Sequence, residues 1–218
     1  PASAPAAQQR TITMSGASPA RALVADLAFF YRRETRNAPR FSIVGGGTGI
    51  GIADAARGIV DAGLSGRALT DADPPGLVFT PLAASAICLV TNAANPLPSL
   101  TRAQIQDLVA GRLTSWSQVP GSPRSDPIVH VGFDLTSAAR ATFLSAFVDL
   151  ETPLAYQPRT FTATAQVRNF IQVTPGAWGY LDLAFTSGLH TVDYEGTRCS
   201  ATGSYPAQRQ MGFVTRGR

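Results

Sequence analysis

Residues 10–19, Arg-Thr-Ile-Thr-Met-Ser-Gly-Ala-Ser-Pro, decide the fold class, because they predict a strand, a tight turn and the start of a helix. Apolar residues such as Leu23 and Leu27 then recur at helical spacing. Ser18 is predicted as the N-cap of this helix, and Pro19 as its first residue, where a missing N–H costs nothing.

The same unit recurs further along the chain. The strand-like residues 41–44 precede the Gly-rich run 45–49 and a helical pattern over 50–57, and residues 128–133 lead through 134–137 into another helix. Strands that alternate with helices predict an α/β architecture with largely parallel sheets. Further predicted elements are a strand at 59–64, one or two strands in 77–90 interrupted by Pro81, a helix capped by Thr101 with Gln104 and ended by Gly111, a helix at 166–172, and strands at 178–181 and 211–214.

The composition excludes several chemistries. The 218 residues are 44% hydrophobic and 15% charged, which suits one large globular domain or two lobes. All 18 positive charges are arginines, so Schiff-base and P-loop lysine mechanisms are excluded. The net charge is +4, but the arginines are scattered apart from Arg32, Arg33 and Arg36, so no nucleic-acid partner is expected.

The sparse histidines and cysteines predict no metal site and no cofactor. His130 and His190 have no metal-like partners in the sequence, and Cys88 and Cys199 form no CxxC pair. A disulfide is compatible with an exported protein, but the apolar run 87–90 around Cys88 favours a buried free thiol. No stretch approaches the roughly 18 apolar residues of a membrane helix.

Three strand-to-helix turns, at 15–18, 45–49 and 134–137, each place a hydroxyl beside a helix N-terminus. Such ends attract anions, and the carboxyl ends of strands are where α/β folds bind ligands. Each hydroxyl alone is compatible with simple helix capping. Residues 45–51 also match the G-x-x-x-G-x-G turn of short-chain dehydrogenases. The missing lysine excludes that hydride transfer, although nucleotide binding stays an alternative.

Five motifs in one order carry a resemblance to a known family: Gly16-Ala17-Ser18-Pro19, Gly47-Thr48-Gly49 with residues 59–65, residues 110–117, residues 175–180, and Tyr205-Pro206 with Arg209. Over about residues 11–215 the chain resembles the periplasmic phosphate-binding proteins of ABC transporters, which have the type II solute-binding fold. The resemblance implies two α/β lobes, each a mixed and mostly parallel sheet flanked by helices, joined by crossing strands.

The domain boundaries implied by this resemblance follow the motifs. They are a linker or mature N-terminal tail at 1–10, lobe 1 at 11–84, a crossing strand at 85–92, lobe 2 at 93–207, and a return strand to lobe 1 at 208–218. The family pattern continues with a helical segment after the return strand, so the chain is expected to be trimmed or to have a smaller first lobe.

The resemblance also implies a ligand set between the lobes, formed by Ser18, Thr48, Gly49, Ser65, Arg67, Asp134, Ser137 and Arg140. A family acid that accepts the phosphate proton falls on Gly66, and a family arginine falls on Phe133. Residues 138–139 are both alanine where the family has Gly-Thr. Each lost hydrogen bond to a charged group removes roughly 1.5–3 kcal/mol, so tight phosphate binding is not assured. Phe133 either offers an aromatic face to the cleft or belongs to the core.

The functional expectation is a monomeric, non-enzymatic, extracytoplasmic solute-binding protein. It would bind phosphate or a related small oxyanion between two lobes for ABC-type uptake, with the transporter's membrane subunits as partners. The alternative is a degenerate phosphate-binding-like domain that acts as a sensory or interaction module of a larger cell-surface protein, without tight phosphate binding.

Overall fold

The computed structural model describes residues 9–149, 152 and 159–217, so most of the predicted N-terminal tail lies outside the described residues. Strands and helices alternate, and the predicted α/β class is confirmed. The helices are α1 (Ser18–Glu34), α2 (Thr48–Arg57), α3 (Arg102–Val109), α4 (Ala138–Phe147) and α5 (Thr164–Val173). The strands are β1 (Thr11–Ala17), β2 (Arg40–Gly46), β3 (Ala62–Ser65), β4 (Leu77–Thr91), β5 (Ser99–Leu100), β6 (Val129–Phe133), β7 (Arg159–Phe161), β8 (Ala177–Asp182), β9 (His190–Tyr194) and β10 (Gln208–Arg216).

The strands form one curled mixed sheet in the order β2-β1-β3-β10-β4-β8-β6-β7, and off this path β9 pairs with β4 and β5 pairs with β9. At one end β1 runs parallel to β2 and β3, and at the other β6 runs parallel to β7 and β8. In the middle, β10 is antiparallel to β3 and β4. Each end therefore consists of parallel strands that feed helices.

Strand β4 belongs to both ends of the sheet. Residues 77–86 pair with β10, whereas residues 87–91 pair with β8. We call β2, β1, β3, β10 and residues 77–86 the first sheet half, and residues 87–91 with β8, β9, β6 and β7 the second sheet half. The change of partner lies inside the segment 85–92, which the sequence predicts as a crossing strand. The domain boundaries themselves stay a prediction.

Pro81 does not break β4. The strand runs through it for 15 residues, and the register with β10 shifts between Met211 and Gly212, where Ala83 and Pro81 are the partners. A bulge of this kind accommodates a proline because the residue has no N–H to donate to the ladder. The prediction of one or two strands in this region therefore resolves to one.

Helix α2 packs directly on β1 and β3 through glycines. A Cβ atom at Gly51 would lie 2.6 Å from the Leu64 carbonyl oxygen and 2.7 Å from that of Ser15, and Gly16 and Gly63 lie at the same contact. No side chain fits between the helix and the strands here. This close packing fixes the N-terminus of α2 at the carboxyl end of β1.

The largest buried cluster lies in the second sheet half, where Trp116, Trp178, Phe143 and Tyr180 are almost completely buried. The Phe143 and Tyr180 rings stack with centroids 4.1 Å apart. The clusters in the first sheet half are smaller. The second sheet half is therefore the more strongly packed support for the elements at its edge.

Cys88 and Cys199 form a disulfide, with Cα atoms 5.4 Å apart. The prediction that Cys88 is buried is confirmed, but the prediction of a free thiol is wrong. Cys199 reaches β4 because the segment before β10 packs against that strand. The Tyr205 hydroxyl donates to the Ile87 carbonyl oxygen at 3.0 Å, and the Ile87 N–H donates to the Ala207 carbonyl oxygen at 2.9 Å.

Two local predictions need correction. Ser18 is the first residue of α1 rather than its N-cap, because β1 continues to Ala17 and passes into the helix without a loop. Strand β3 covers 62–65 instead of 59–64, since Gly58 in the left-handed region ends α2 and residues 59–61 complete the turn. Within residues 9–149, 152 and 159–217, no helix is both long and apolar enough to cross a bilayer.

Candidate functional site

A cleft lies between the two sheet halves, at the carboxyl ends of parallel strands. The first sheet half lines it with residues 17–19 and 46–48, and the second with residues 133–134, 137–139, 162 and 164. Asp182 at the end of β8 and Arg209 on β10 complete the lining. The carboxyl ends of neighbouring parallel strands meet at one edge of a sheet, so the helices that follow them begin at this cleft.

Four helices begin at the cleft without a hydrogen bond from the side chain of the N-cap residue, although in α5 the Gln166 side chain accepts the Ala163 N–H at 3.2 Å. The N-cap residues of α1, α2, α4 and α5 are Ala17, Gly47, Ser137 and Ala163, and none makes a side-chain hydrogen bond to its helix. None of these helices carries an acidic residue in its first turn. Their first backbone N–H groups are therefore open to an anion, and each N-terminus carries about +0.5 charge.

Helix α3, which begins away from the cleft, is capped in full. The Thr101 hydroxyl accepts the Gln104 N–H at 3.2 Å, and the Gln104 side chain accepts the Thr101 N–H at 2.8 Å. Capping alone is therefore not the role of the hydroxyls at the cleft. Ser137 sits at an N-cap and makes no capping bond, and Ser18 lies inside the first turn of α1.

Thr48 presents a buried hydroxyl at the start of α2. Its Oγ1 accepts the Gly66 N–H at 3.0 Å, and the residue is 3% exposed. Because the oxygen already accepts a bond from the protein, the orientation of the hydroxyl is fixed. Its hydrogen is left to donate to an acceptor in the cleft.

Arg209 brings a buried positive charge to the cleft. Its Nη2 donates to Asp182 Oδ2 at 2.7 Å, and the two side chains are 5% and 1% exposed. Asp182 also accepts the Ser85 hydroxyl at 2.9 Å and the Ala184 N–H at 3.1 Å. The Arg209 Nε is buried and has no hydrogen-bond partner among the described residues.

The two sides of the cleft touch at its rim. A Cβ atom at Gly47 would lie 3.1 Å from the Thr136 Oγ1, so the glycine allows the close approach of the two sheet halves. Asp134 orients Thr136 by accepting both its N–H, at 2.9 Å, and its hydroxyl, at 2.7 Å. The cleft between them has a volume of about 30 Å³.

The comparison with known families agrees with this geometry. Residues 1–214 match a family model described as a PBP superfamily domain. The chain belongs to the PBP superfamily. The resemblance to periplasmic binding proteins that the motifs predict is confirmed.

Solved PBP-like structures resemble this chain over almost all of its length. A phosphate ABC transporter substrate-binding protein from Clostridium perfringens, solved with bound phosphate, is 23% identical with a TM-score of 0.83, and the match covers 95% of this chain and 86% of that one. An ABC-type phosphate transport receptor from Vibrio cholerae is 23% identical with a TM-score of 0.68, covering 94% and 86%. The effector-binding domain of QuiR in complex with shikimate is 14% identical with a TM-score of 0.62, covering 96% and 88%. These likenesses show the fold.

Half of the predicted ligand residues line the cleft of this PBP-superfamily chain. Ser18, Thr48, Asp134 and Ser137 come together there from both sheet halves. Gly49 is the second residue of α2 and faces Thr136 at the rim. Their roles as ligands stay a prediction.

The other predicted residues lie outside the cleft lining. Arg67 binds Asp73 through two hydrogen bonds of 2.6 and 2.8 Å, and this pairing lowers the pKa of Asp73 to about 2. Ser65 is fully buried and holds the same turn, because its hydroxyl donates to the Arg67 carbonyl oxygen at 2.6 Å and accepts the Arg67 N–H at 3.2 Å. The guanidinium in the cleft is therefore that of Arg209.

Arg140, in the first turn of α4, lies near Tyr180 and is not among the residues that line the cleft. Burial raises the pKa of Tyr180 to about 12, and the positive charge of Arg140 opposes that rise. The sequence left open whether Phe133 belongs to the core or faces the cleft, and in the structure it does both. It is 3% exposed and packs on Tyr180 with ring centroids 5.7 Å apart, yet it also lines the cleft.

Sequence reasoning missed Arg209, Asp182 and Thr164 as lining residues. Arg209 belongs to one of the motifs that carry the family resemblance, but its contact with Asp182 depends on how β8 and β10 flank β4. Thr164 begins α5 directly after the three-residue strand β7. A strand that short gives little periodic signal, so the sequence does not predict that α5 begins at the cleft.

The buried histidine lies in the core beneath α4 and does not line the cleft. His130 stacks on Trp178 with ring centroids 4.5 Å apart, and burial lowers its pKa to about 3. Within the described ranges, no group of three or more His, Cys, Asp and Glu side chains could hold a metal ion.

Proposed function

We propose that this chain is an extracytoplasmic solute-binding protein that takes phosphate or a related small oxyanion between its sheet halves for ABC-type uptake. The observation that carries the proposal is the convergence on one cleft of four helix N-termini whose N-cap side chains make no capping bond, together with a buried guanidinium. Helix N-termini bind anions through their unpaired N–H groups and their dipoles. The ligand groups we assign are Thr48, Ser18 and Ser137, with the backbone N–H groups of the four helix starts.

The size of the cleft supports a small ligand. Its volume of about 30 Å³ is far below the roughly 300–1,000 Å³ of pockets that hold drug-sized ligands. The glycine at position 47, which lets the rim close on Thr136, fits a cleft that encloses a small oxyanion.

The fold neighbours support binding without catalysis. Solved proteins of this fold hold phosphate or shikimate, and some of them carry ABC transport names. The disulfide between Cys88 and Cys199 fits an oxidising, extracytoplasmic compartment. We favour ligand binding over a ligand-free interaction module because the helix N-termini and the oriented Thr48 hydroxyl bring several hydrogen-bond donors for an anion into one cleft.

Isothermal titration calorimetry with phosphate, sulfate and small carboxylates tests this function. We expect at least one oxyanion to bind with a dissociation constant well below millimolar. Thr48→Ala should weaken that binding roughly ten- to a hundredfold, since a hydrogen bond to a charged group contributes about 1.5–3 kcal/mol.

Thr91→Ala is the matched control. Thr91 is fully buried, and its hydroxyl donates to the Asn95 carbonyl oxygen at 2.6 Å, away from the cleft. This variant should lose stability but keep its affinity for the anion. If no anion binds below millimolar concentration, the uptake function is rejected. If the two variants bind equally well, Thr48 is not a ligand.

A further inference from the structure

We propose that the cleft selects singly charged oxyanions over doubly charged ones, so that monobasic phosphate or a small carboxylate is its ligand class. This inference rests on the proposed function, because it concerns the same cleft. It comes from the charges that surround the cleft and from the state of Arg209.

The side chains that line the cleft carry a net negative charge. They include two carboxylates, Asp134 and Asp182, and one guanidinium, Arg209, which together give a formal charge of −1. The four helix N-termini add about +0.5 each, or about +2 in total. The sum is about +1, which one negative charge on the ligand neutralises. A dianion would leave about one uncompensated negative charge in the closed cleft.

Arg209 provides an observation that does not depend on the helices. Its side chain is 5% exposed, and Asp182 already occupies Nη2 at 2.7 Å, whereas Nε has no partner among the described residues. The guanidinium therefore has one buried donor left for a ligand oxygen, while its charge is shared with a carboxylate. A buried charge without a counter-charge is costly, so the second charge of a dianion gains little from this arginine.

The other charged groups near the cleft lie outside its lining. Arg67 is bound by Asp73, and Arg140 interacts with Tyr180 and His130. Burial raises the pKa of Tyr180 to about 12 and lowers that of His130 to about 3. Both groups are therefore uncharged across the pH range in which phosphate passes from monoanion to dianion.

Calorimetry on the whole chain, with phosphate titrated below and above its second ionisation, tests this preference. Hypophosphite serves as a tetrahedral ion that stays singly charged, and sulfate as one that stays doubly charged. Any change in the affinity of these two ions with pH therefore arises from ionisation of the protein. We expect phosphate to bind at least tenfold more tightly as the monoanion, and hypophosphite to bind more tightly than sulfate at both pH values. Equal or tighter binding of the phosphate dianion, or of sulfate over hypophosphite, overturns the inference. Failure of every anion to bind rejects the proposed function instead.

A charge variant tests the cause of the preference. Asp134→Asn removes one negative charge from the lining and keeps the amide oxygen that can accept the Thr136 N–H. We expect the preference for the phosphate monoanion to fall at least threefold. Asp126→Asn, which removes an exposed carboxylate paired with Arg124 outside the lining, should keep the full preference. An unchanged preference in Asp134→Asn would overturn the charge argument. If this variant folds poorly, the pH dependence of phosphate affinity in the unmodified protein still tests the inference.

Discussion

Replacing Arg209 with methionine should destabilise the protein markedly, because it breaks a buried ion pair. Asp182 is 1% exposed and would keep its bonds from Ser85 and Ala184, but its negative charge would lose its counter-charge. Breaking such a pair from one side costs about 3–5 kcal/mol. The substitution also removes the buried Nε that has no partner among the described residues. Burying such a donor itself costs about 1–3 kcal/mol, so we expect a net loss near the lower bound, about 3 kcal/mol.

Equilibrium unfolding in urea and thermal melting, both without anions, measure this loss. One kcal/mol shifts the Tm of a domain of this size by about 2–4 °C, so a loss of about 3 kcal/mol predicts a decrease of roughly 6–12 °C. Arg112→Met is the control, because Arg112 pairs with Asp107 on the surface, where both side chains are 39–53% exposed. Exposed pairs contribute about 0–1 kcal/mol.

A second substitution separates the charge from the lost side chain. Adding Asp182→Asn to Arg209→Met removes the uncompensated charge while an amide oxygen remains to accept the bond from Ser85. We expect the double variant to be more stable than Arg209→Met alone. The reasoning is refuted if Arg209→Met costs no more than Arg112→Met, or if the double variant is the less stable of the two.

Three further predictions concern the framework around the cleft. Gly51→Ala should cost at least about 2 kcal/mol, because the new Cβ would lie 2.6 and 2.7 Å from backbone oxygens of β3 and β1; an unfolding midpoint within error of the original would contradict this packing. Replacing Cys88 and Cys199 with serine should cost about 2–5 kcal/mol in urea unfolding, since the bridge joins residues 111 positions apart; equal stability would argue against the bridge. Asp73 has its pKa lowered to about 2 by Arg67, so the pair stabilises the fold above the ordinary aspartate pKa near 3.8, and that contribution is lost as the pH falls towards 2. The stability difference between the protein and Asp73→Asn should therefore shrink over that range, and a difference that stays constant would exclude the linkage.

The fold was predictable where local chemistry determines it. Residues 10–19 and 41–57 combine strand periodicity, glycine and helical spacing, and the strand-to-helix units they predict are present as β1-α1 and β2-α2. The exact role of Ser18 was not predictable, because a serine before a proline suits both an N-cap and the first turn. Whether β1 would end before Ser18 or run into the helix depends on its pairing with β2, which extends to Ala17.

The cleft was only partly predictable, because its charge comes from contacts that are distant in sequence. Arg209 and Asp182 are 27 residues apart and meet only because β8 and β10 pair with successive parts of β4. The disulfide depends on the same arrangement. An apolar run around Cys88 indicates burial, but burial does not distinguish a free thiol from a half-cystine, and Cys199 gives no local sign of its partner.

The departures at positions 66 and 133 do not change the net charge that the resemblance implies for the cleft. An acid is absent at Gly66 and an arginine is absent at Phe133, so one negative and one positive charge are lost together. A Cβ atom at Gly66 would lie 2.9 Å from Arg209 Nη1 and 3.3 Å from Thr48 Oγ1, and Asp182 holds the guanidinium in place. A side chain at position 66 would therefore displace Arg209 or the hydroxyl that we assign as a ligand. The glycine therefore fits a cleft whose positive charge comes from Arg209 on β10, and the proposed anion site is compatible with both departures.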